Sequence, residues 1–105
     1  MSFTCISAND AKALLDNDDL SIADIRDGMA YAMGHIKGAS HVDNSSLEGF
    51  MAHAAKDAPL LVCCYHGNSS KSAADFFADQ GYQEVYSLDG GYEMWKVVAP
   101  ELCDV

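Results

Sequence analysis

Residues 60–77 read LLVCCYHGNSSKSAADFF, a stretch that joins an apolar run to a segment patterned like a helix. Leu60–Cys63 is apolar on both faces, which is typical of a central strand in a parallel sheet. Ala73, Phe76 and Phe77 predict the inward face of the helix that follows. A polar loop rich in Gly, Asn and Ser lies between the two segments and favours a tight turn. The stretch therefore predicts a strand, a loop and a helix in immediate succession.

The rest of the chain repeats this alternation of short strand-like and helix-like segments, which favours an α/β domain with a mainly parallel sheet. One domain covering residues 1–105 accommodates the whole pattern. Ligands of such sheets bind beyond the carboxyl ends of the strands. The other predicted strands are Thr4–Ile6, Ser21–Ile25, Ser40–Val42 and Glu84–Ser87. Three further helices are predicted: one begins after Ser7, one begins near Ser45 or Ser46, and one spans Tyr92–Val98.

The composition narrows the classes of partner. Six basic against sixteen acidic residues give a net charge of −10. A surface this acidic argues against binding to nucleic acid or to an anionic membrane, because both require a basic footprint. No apolar run approaches the roughly twenty residues that span a bilayer. An anionic substrate stays compatible with the sequence if a local device holds it against the overall charge.

The cysteines indicate a reducing compartment. The N-terminal sequence MSFTCISAND lacks a basic region followed by an apolar run, so we expect no signal peptide and a cytoplasmic location. Thiols stay reduced there, and Cys5, Cys63, Cys64 and Cys103 are therefore interpreted as free thiols. No CxxC pair or second cysteine cluster is present in the sequence, so we predict no metal site.

Cys63 and Cys64 have different predicted environments because adjacent strand residues point to opposite faces. Cys63 belongs to the core, whereas Cys64 ends the strand and begins a loop whose N–H groups can converge on one point. A free cysteine is only a few per cent thiolate at neutral pH, and a helix dipole lowers its pKa by about one unit at most. Several N–H donors would lower it further. We interpret Cys64 as a nucleophile for an anionic substrate, with an inert buried thiol as the alternative.

The segment CYHGNSSKSAADFF closely resembles the active-site segment of single-domain rhodaneses of the GlpE type. DIRD at residues 24–27, MGHIKGA at 33–39 and GYQEVYSLDGGYEMW at 81–95 resemble other signatures of that family in the same order. The likeness covers roughly residues 4–98. It implies a rhodanese-like three-layer fold, with a mainly parallel five-stranded sheet flanked by helices.

The resemblance also implies a two-step reaction without a cofactor. Cys64 takes the outer sulfur of thiosulfate as a persulfide and releases sulfite. A thiophilic acceptor, either cyanide or a dithiol such as thioredoxin, then removes that sulfur. By the same resemblance, backbone N–H groups surround the outer sulfur, and they belong to Tyr65, His66, Gly67, Asn68 and Ser69.

Three alternative functions remain beside this one. A related phosphatase class has a loop one residue longer that ends in arginine, which binds phosphoryl oxygens as a bidentate fork. Ser70 occupies that position here and Lys71 follows it, so the sequence disfavours a phosphatase. A regulatory module often lacks the cysteine that is present here. A persulfide carrier acting with a partner protein would keep both the cysteine and the loop.

The remaining candidates have weaker signals. Lys71 lies in the first helical turn, where it can offset the acidic surface, although a solvated lysine fits equally well. His66 is open to a modest electrostatic role. Arg26 lies between two aspartates and is interpreted as the centre of a structural ion pair. Tyr92 and Trp95, spaced i and i+3, are interpreted as a core stripe.

Overall fold

Strands and helices alternate through residues 2–105, which are the residues that the computed structural model describes. Short 3₁₀ turns follow the first helix at Lys12–Asp16 and the last helix at Pro100–Leu102. The strands are β1 (Thr4–Ile6), β2 (Ser21–Asp24), β3 (His35–Ile36), β4 (Ser40–His41), β5 (Pro59–Cys63), β6 (Glu84–Leu88) and β7 (Cys103–Asp104). The helices are α1 (Ala8–Ala11), α2 (Gly28–Met33), α3 (Leu47–His53), α4 (Ser69–Asp79) and α5 (Gly91–Val98).

Five parallel strands form the sheet, in the order β1-β6-β5-β2-β4. β5 is central, and all five of its residues are buried, as its continuous apolar sequence predicts. Pro59 is tolerated because it is the first residue of the strand. The predicted five-stranded parallel sheet with flanking helices is confirmed.

Two apolar clusters cover the two faces of the sheet, so the fold has three layers. Alternate residues of β5 enter opposite clusters, with Leu61 and Cys63 on one side and Leu60 and Val62 on the other. The first cluster is completed by side chains of α1 and α5, and the second by those of α3 and α4. Members of the first include Ala8, Ala11, Tyr92 and Trp95, and members of the second include Ala54, Ala74, Phe77 and Tyr82.

The predicted inward face of α4 is partly wrong. Phe77 is buried, but Phe76 is 39% exposed and Ala73 is only half-buried. The buried positions of the helix are Ser70, Ala74, Phe77 and Ala78, which follow the i, i+4, i+7, i+8 pattern of one face. The inward stripe therefore includes a serine, which an apolar pattern cannot detect.

The helix starts show which polar residues act as caps. Ser7 accepts a hydrogen bond from the Asp10 N–H at 3.2 Å, as its pattern predicts. At α3 the predicted start near Ser45 or Ser46 is confirmed, since Ser46 is the N-terminal cap, although its side chain makes no capping hydrogen bond. Asp43 there accepts from the N–H groups of both serines at 2.9 and 3.0 Å.

Two structural features are additional to the predicted ones. α2 begins after Asp27, whose carboxylate accepts from the Ala30 N–H at 2.9 Å. β3 and β7 form a small antiparallel sheet in which Ile36 pairs with Cys103. These segments are too short to show a periodic pattern. Within residues 2–105 no helix has both the length and the apolar character that crossing a membrane requires.

Candidate active site

Cys64 lies immediately after β5, at the carboxyl edge of the sheet. Its neighbour Cys63 pairs in register with Asp24 of β2 and is fully buried in the cluster that contains Trp95. Cys64 is 3% exposed and begins the loop that leads into α4. The two cysteines are therefore separated as predicted, one in the core and one at the strand end.

The Sγ atom of Cys64 is surrounded by hydrogen-bond donors of its own loop, residues 64–70, which we call the cradle. The Gly67 N–H donates to Sγ at 3.1 Å and the Ser70 N–H donates at 3.2 Å. The N–H of His66 also interacts with it. The cradle therefore extends one residue beyond Ser69, where the sequence interpretation ended it.

The cradle and the core shift the pKa values of the two thiols in opposite directions. Burial raises the pKa of Cys64, but the hydrogen bonds from the side chain and backbone of Ser70, and from the N–H groups of Gly67 and His66, outweigh burial and lower it below the usual cysteine value. Burial, with Asp24 nearby, raises the pKa of Cys63 far above that value. Cys64 is thus the thiol prepared to ionise, and Cys63 stays protonated.

Hydrogen bonds from the start of α5 orient the backbone of the cradle. The N–H of Tyr92 donates to the Cys64 carbonyl at 2.8 Å, and the N–H of Glu93 donates to the Tyr65 carbonyl at 3.2 Å. Both donors belong to the first helical turn, where N–H groups have no partner within the helix. In a trans peptide bond the C=O and the N–H of the following residue point in opposite directions. The hydrogen bond that fixes the Tyr65 carbonyl therefore also fixes the direction of the His66 N–H.

Glycines make this contact between the two loops possible. Gly91 has φ +59°, and a Cβ added there would lie 2.4 Å from the Tyr65 carbonyl carbon and oxygen. Gly67 has φ +91°, and its Cβ would lie 2.9 Å from the Gly90 nitrogen. A turn at Asp89 and Gly90 joins β6 to α5. This segment also supports the backbone of the cradle. The one sign of that role in the sequence is the pair of glycines shortly after a strand.

Tyr65 connects the cradle to the loop after β2. Its Oη donates to the Asp27 carboxylate and accepts from the Asp27 N–H at 3.3 Å. Asp27 is also the cap of α2, so one carboxylate serves a helix start and the cradle. The two residues are 38 positions apart, and sequence spacing carried no sign of this pair.

Arg26 has the structural role predicted for it. Arg26 is 5% exposed, and its guanidinium donates to Asp24 Oδ2 at 2.6 Å and to the Gly34 carbonyl at 2.7 Å. It also lies 4.2 Å from the centre of the Tyr92 ring. These contacts use the hydrogen-bonding groups of the Arg26 guanidinium and connect the start of α5 to the end of β2.

The other predicted site residues lie on the surface of the cradle or next to it. His66, Asn68, Ser69 and Lys71 are exposed, and Lys71 is in the first turn of α4. The predicted contacts of Tyr65, Asn68 and Ser69 concern an outer sulfur and stay predictions. In the part of the chain that the structure describes, no three His, Cys, Asp or Glu side chains are grouped as metal ligands.

Comparisons with known proteins place these features in context. The model of the rhodanese-like domain family matches residues 7–97. The thiosulfate sulfurtransferase GlpE of Ectopseudomonas mendocina is 53% identical over 93% of this chain and 89% of its own length. The protein of the same name from Pseudomonas aeruginosa is 50% identical over 94% and 89%. The structure of a rhodanese-like domain protein from Staphylococcus aureus has a TM-score of 0.75 and 21% identity, over 89% of this chain and 91% of that one.

The opposite pKa shifts predict selective alkylation of the adjacent cysteines. Because the thiolate is the reactive form, Cys64 will react with iodoacetamide with an apparent pKa below that of an ordinary cysteine. Cys63 will stay unmodified across the same pH range while the protein is folded. Peptide mass mapping against pH measures both. Equal modification of Cys63 and Cys64 would contradict the assignment.

The contact at Gly91 predicts a large effect from one methyl group. Gly91→Ala will displace the cradle backbone, raise the pKa of Cys64 and lower the free energy of unfolding by about 1–3 kcal/mol. Thiol alkylation and chemical denaturation measure the two effects. Gly49→Ala is the matched control, since a Cβ at that helical position meets nothing within 4 Å. An unchanged thiol pKa in Gly91→Ala would show that α5 does not orient the cradle.

Proposed function

The chain belongs to the rhodanese-like domain family, as its sequence resemblance indicated, and we propose that Cys64 is the nucleophile and sulfur carrier of its reaction. Its activity is thiosulfate sulfur transfer, the activity named for relatives 50–53% identical over more than nine-tenths of the chain. The observation that carries the assignment to Cys64 is the set of N–H donors around its Sγ atom. These donors also lower the pKa of Cys64.

The first step transfers one sulfur atom to the protein. The Cys64 thiolate attacks the outer sulfur of thiosulfate and forms an S–S bond. The S–S bond of thiosulfate breaks, and sulfite leaves with its electron pair. Cys64 then carries a persulfide whose outer sulfur holds the negative charge. No oxidant, metal or organic cofactor enters this balance.

The second step returns Cys64 to its thiolate. Cyanide attacks the outer sulfur and leaves as thiocyanate, while the electron pair of the broken S–S bond returns to Cys64. A dithiol such as thioredoxin would receive the sulfur on one thiol. The second thiolate of the dithiol would then attack the inner sulfur of that persulfide, which forms a disulfide and releases hydrogen sulfide. Thioredoxin as the acceptor and a cytoplasmic setting, where dithiols stay reduced, are parts of the proposal.

The cradle supports binding of an anion to a strongly acidic protein. Thiosulfate and the persulfide are both negative, and the net charge of the chain is −10. Hydrogen bonds to a charged group contribute roughly 1.5–3 kcal/mol each, so a few converging N–H donors offset much of this repulsion. We assign this role to the N–H groups of Tyr65, His66, Gly67, Asn68 and Ser69.

Ser70 supports sulfur transfer over phosphate chemistry. Its side chain is fully buried and bonded to Ser87 at 2.7 Å, and Lys71 is exposed beyond it. Neither residue offers the planar bidentate fork with which arginine binds phosphoryl oxygens. The cradle therefore lacks the arginine fork with which that phosphatase class binds phosphoryl oxygens.

The assignment of Cys64 is tested by a thiosulfate-to-cyanide assay on three proteins. Cys64→Ser will lose thiocyanate formation by at least about a thousandfold, since serine is not ionised at neutral pH. Cys63→Ser will retain activity within a fewfold of the unmodified chain. Intact mass after thiosulfate will show one added sulfur in every protein that keeps Cys64. Equal losses in both variants would contradict the assignment. Absent thiocyanate, with sulfur accepted from a desulfurase, would instead indicate a persulfide carrier.

The electrostatic role proposed for Lys71 predicts an effect on thiosulfate binding. Lys71→Gln will raise KM for thiosulfate about twofold to fivefold and leave kcat nearly unchanged, because an exposed cation contributes modestly. The difference will shrink as ionic strength rises. Lys37→Gln is the matched control, since that exposed lysine lies beyond β3, beside the loop that precedes β2. Identical KM values for Lys71→Gln and Lys37→Gln would remove Lys71 from the site.

A further inference from the structure

We propose that Ser87 is a positioning residue for Cys64, acting through the hydroxyl of Ser70; the proposal rests on the assignment of Cys64 as the nucleophile. Ser87 lies on β6, outside the cradle. Its Oγ atom is 2.7 Å from the Ser70 Oγ atom, and both side chains are fully buried. Ser70 in turn contacts Cys64 Sγ through its N–H at 3.2 Å.

The position of Ser87 is one where an apolar side chain would be expected. Ser87 pairs in register with Val62, and Val85, two residues earlier on the same face of β6, is buried in the apolar cluster under α4. A buried hydroxyl costs roughly 1–3 kcal/mol unless it is hydrogen-bonded. Ser70 is the hydrogen-bond partner of this hydroxyl among residues 2–105. The polar pair is therefore a built feature of an otherwise apolar layer.

The direction of the two hydroxyl protons follows from the partners present. Each serine hydroxyl has one proton to donate and can accept from others. The Oγ atoms of Ser70 and Ser87 lie 2.7 Å apart, where either can donate, and the side chain of Ser70 is also among the hydrogen-bonding groups that lower the pKa of Cys64. Both protons are used only when Ser87 donates to Ser70 and Ser70 donates to Cys64. A thiolate accepts and cannot donate, so ionisation of Cys64 fixes this direction.

Removing the Ser87 hydroxyl would free the Ser70 hydroxyl to turn away. Donation to Cys64 would then weaken, and the polarisation that one hydrogen bond gives the next would be lost. The backbone donors of Gly67 and Ser70 would remain, so the effect is a partial loss of thiolate stabilisation.

The test is a double-mutant cycle read out as the rate of Cys64 alkylation against pH. Ser87→Ala will slow alkylation about threefold to tenfold near pH 6.5, and the rates will converge above pH 10, where every thiol is ionised. Ser70→Ala will have an equal or larger effect. The double variant will match Ser70→Ala alone, because Ser87 then has no hydroxyl through which to act. Ser72→Ala, on the exposed side of α4, is the control.

Three outcomes would overturn the proposal. The first is an unchanged pH profile in Ser87→Ala. The second is an additive effect in the double variant, which would indicate an independent packing contribution. The third is a profile in Ser87→Thr that matches Ser87→Ala although thermal unfolding shows a folded protein, since threonine restores the hydroxyl.

The alkylation readout is separate from the proposed function. If thiosulfate turnover survives in Cys64→Ser, the nucleophile assignment fails, whereas the cycle still reports whether Ser87 controls the Cys64 thiol. If the assignment holds, Ser87→Ala will also lower kcat/KM for thiosulfate at pH 6.5 by the same factor as alkylation, with recovery at high pH. Loss of turnover at every pH would contradict a role through thiol ionisation.

Discussion

The hydrogen bonds from the first turn of α5 to the carbonyls of Cys64 and Tyr65 are the contact on which the site depends. A loop that must direct its N–H groups toward one sulfur has to direct its carbonyls elsewhere, and those carbonyls require donors. The helix supplies them without a side chain, because its first N–H groups lack partners of their own. The contact is close enough that Gly91 has no room for a Cβ. Two segments more than twenty residues apart thus act as a single backbone unit.

Burial has opposite consequences for the two adjacent cysteines because their hydrogen-bond environments differ. Both thiols are almost inaccessible, and burial alone would raise the pKa of each. Cys64 gains enough donors from the cradle to reverse that shift, whereas Cys63 faces an apolar cluster and the carboxylate of Asp24. Position relative to the end of β5 decides the difference, since one residue further along the strand turns a side chain to the other face.

Sequence patterns predicted the parts of the structure that local chemistry determines. The apolar run of β5, the alternation of elements and the loop before α4 all have local causes, and their predictions agree with the structure. Phe76 was misplaced because hydrophobicity and helical spacing do not report that Ser70 occupies the buried face. The link from Tyr65 to Asp27 and the pair formed by Ser70 and Ser87 join distant segments. Such contacts depend on the packed sheet and have no signature in local spacing.

In the proposed reaction, the placement of Cys63 also determines how long sulfur can remain on Cys64. In a pair of neighbouring thiols, the second can attack a persulfide on the first, expel the sulfur and close a disulfide. Here the neighbour is protonated, fully buried and on the opposite face of the strand, so it cannot act as a resolving thiol. A persulfide formed on Cys64 therefore reacts only when an external acceptor arrives. If Cys64 carries sulfur as proposed, the strand that anchors this cysteine also keeps activated sulfur on the chain between the two half-reactions.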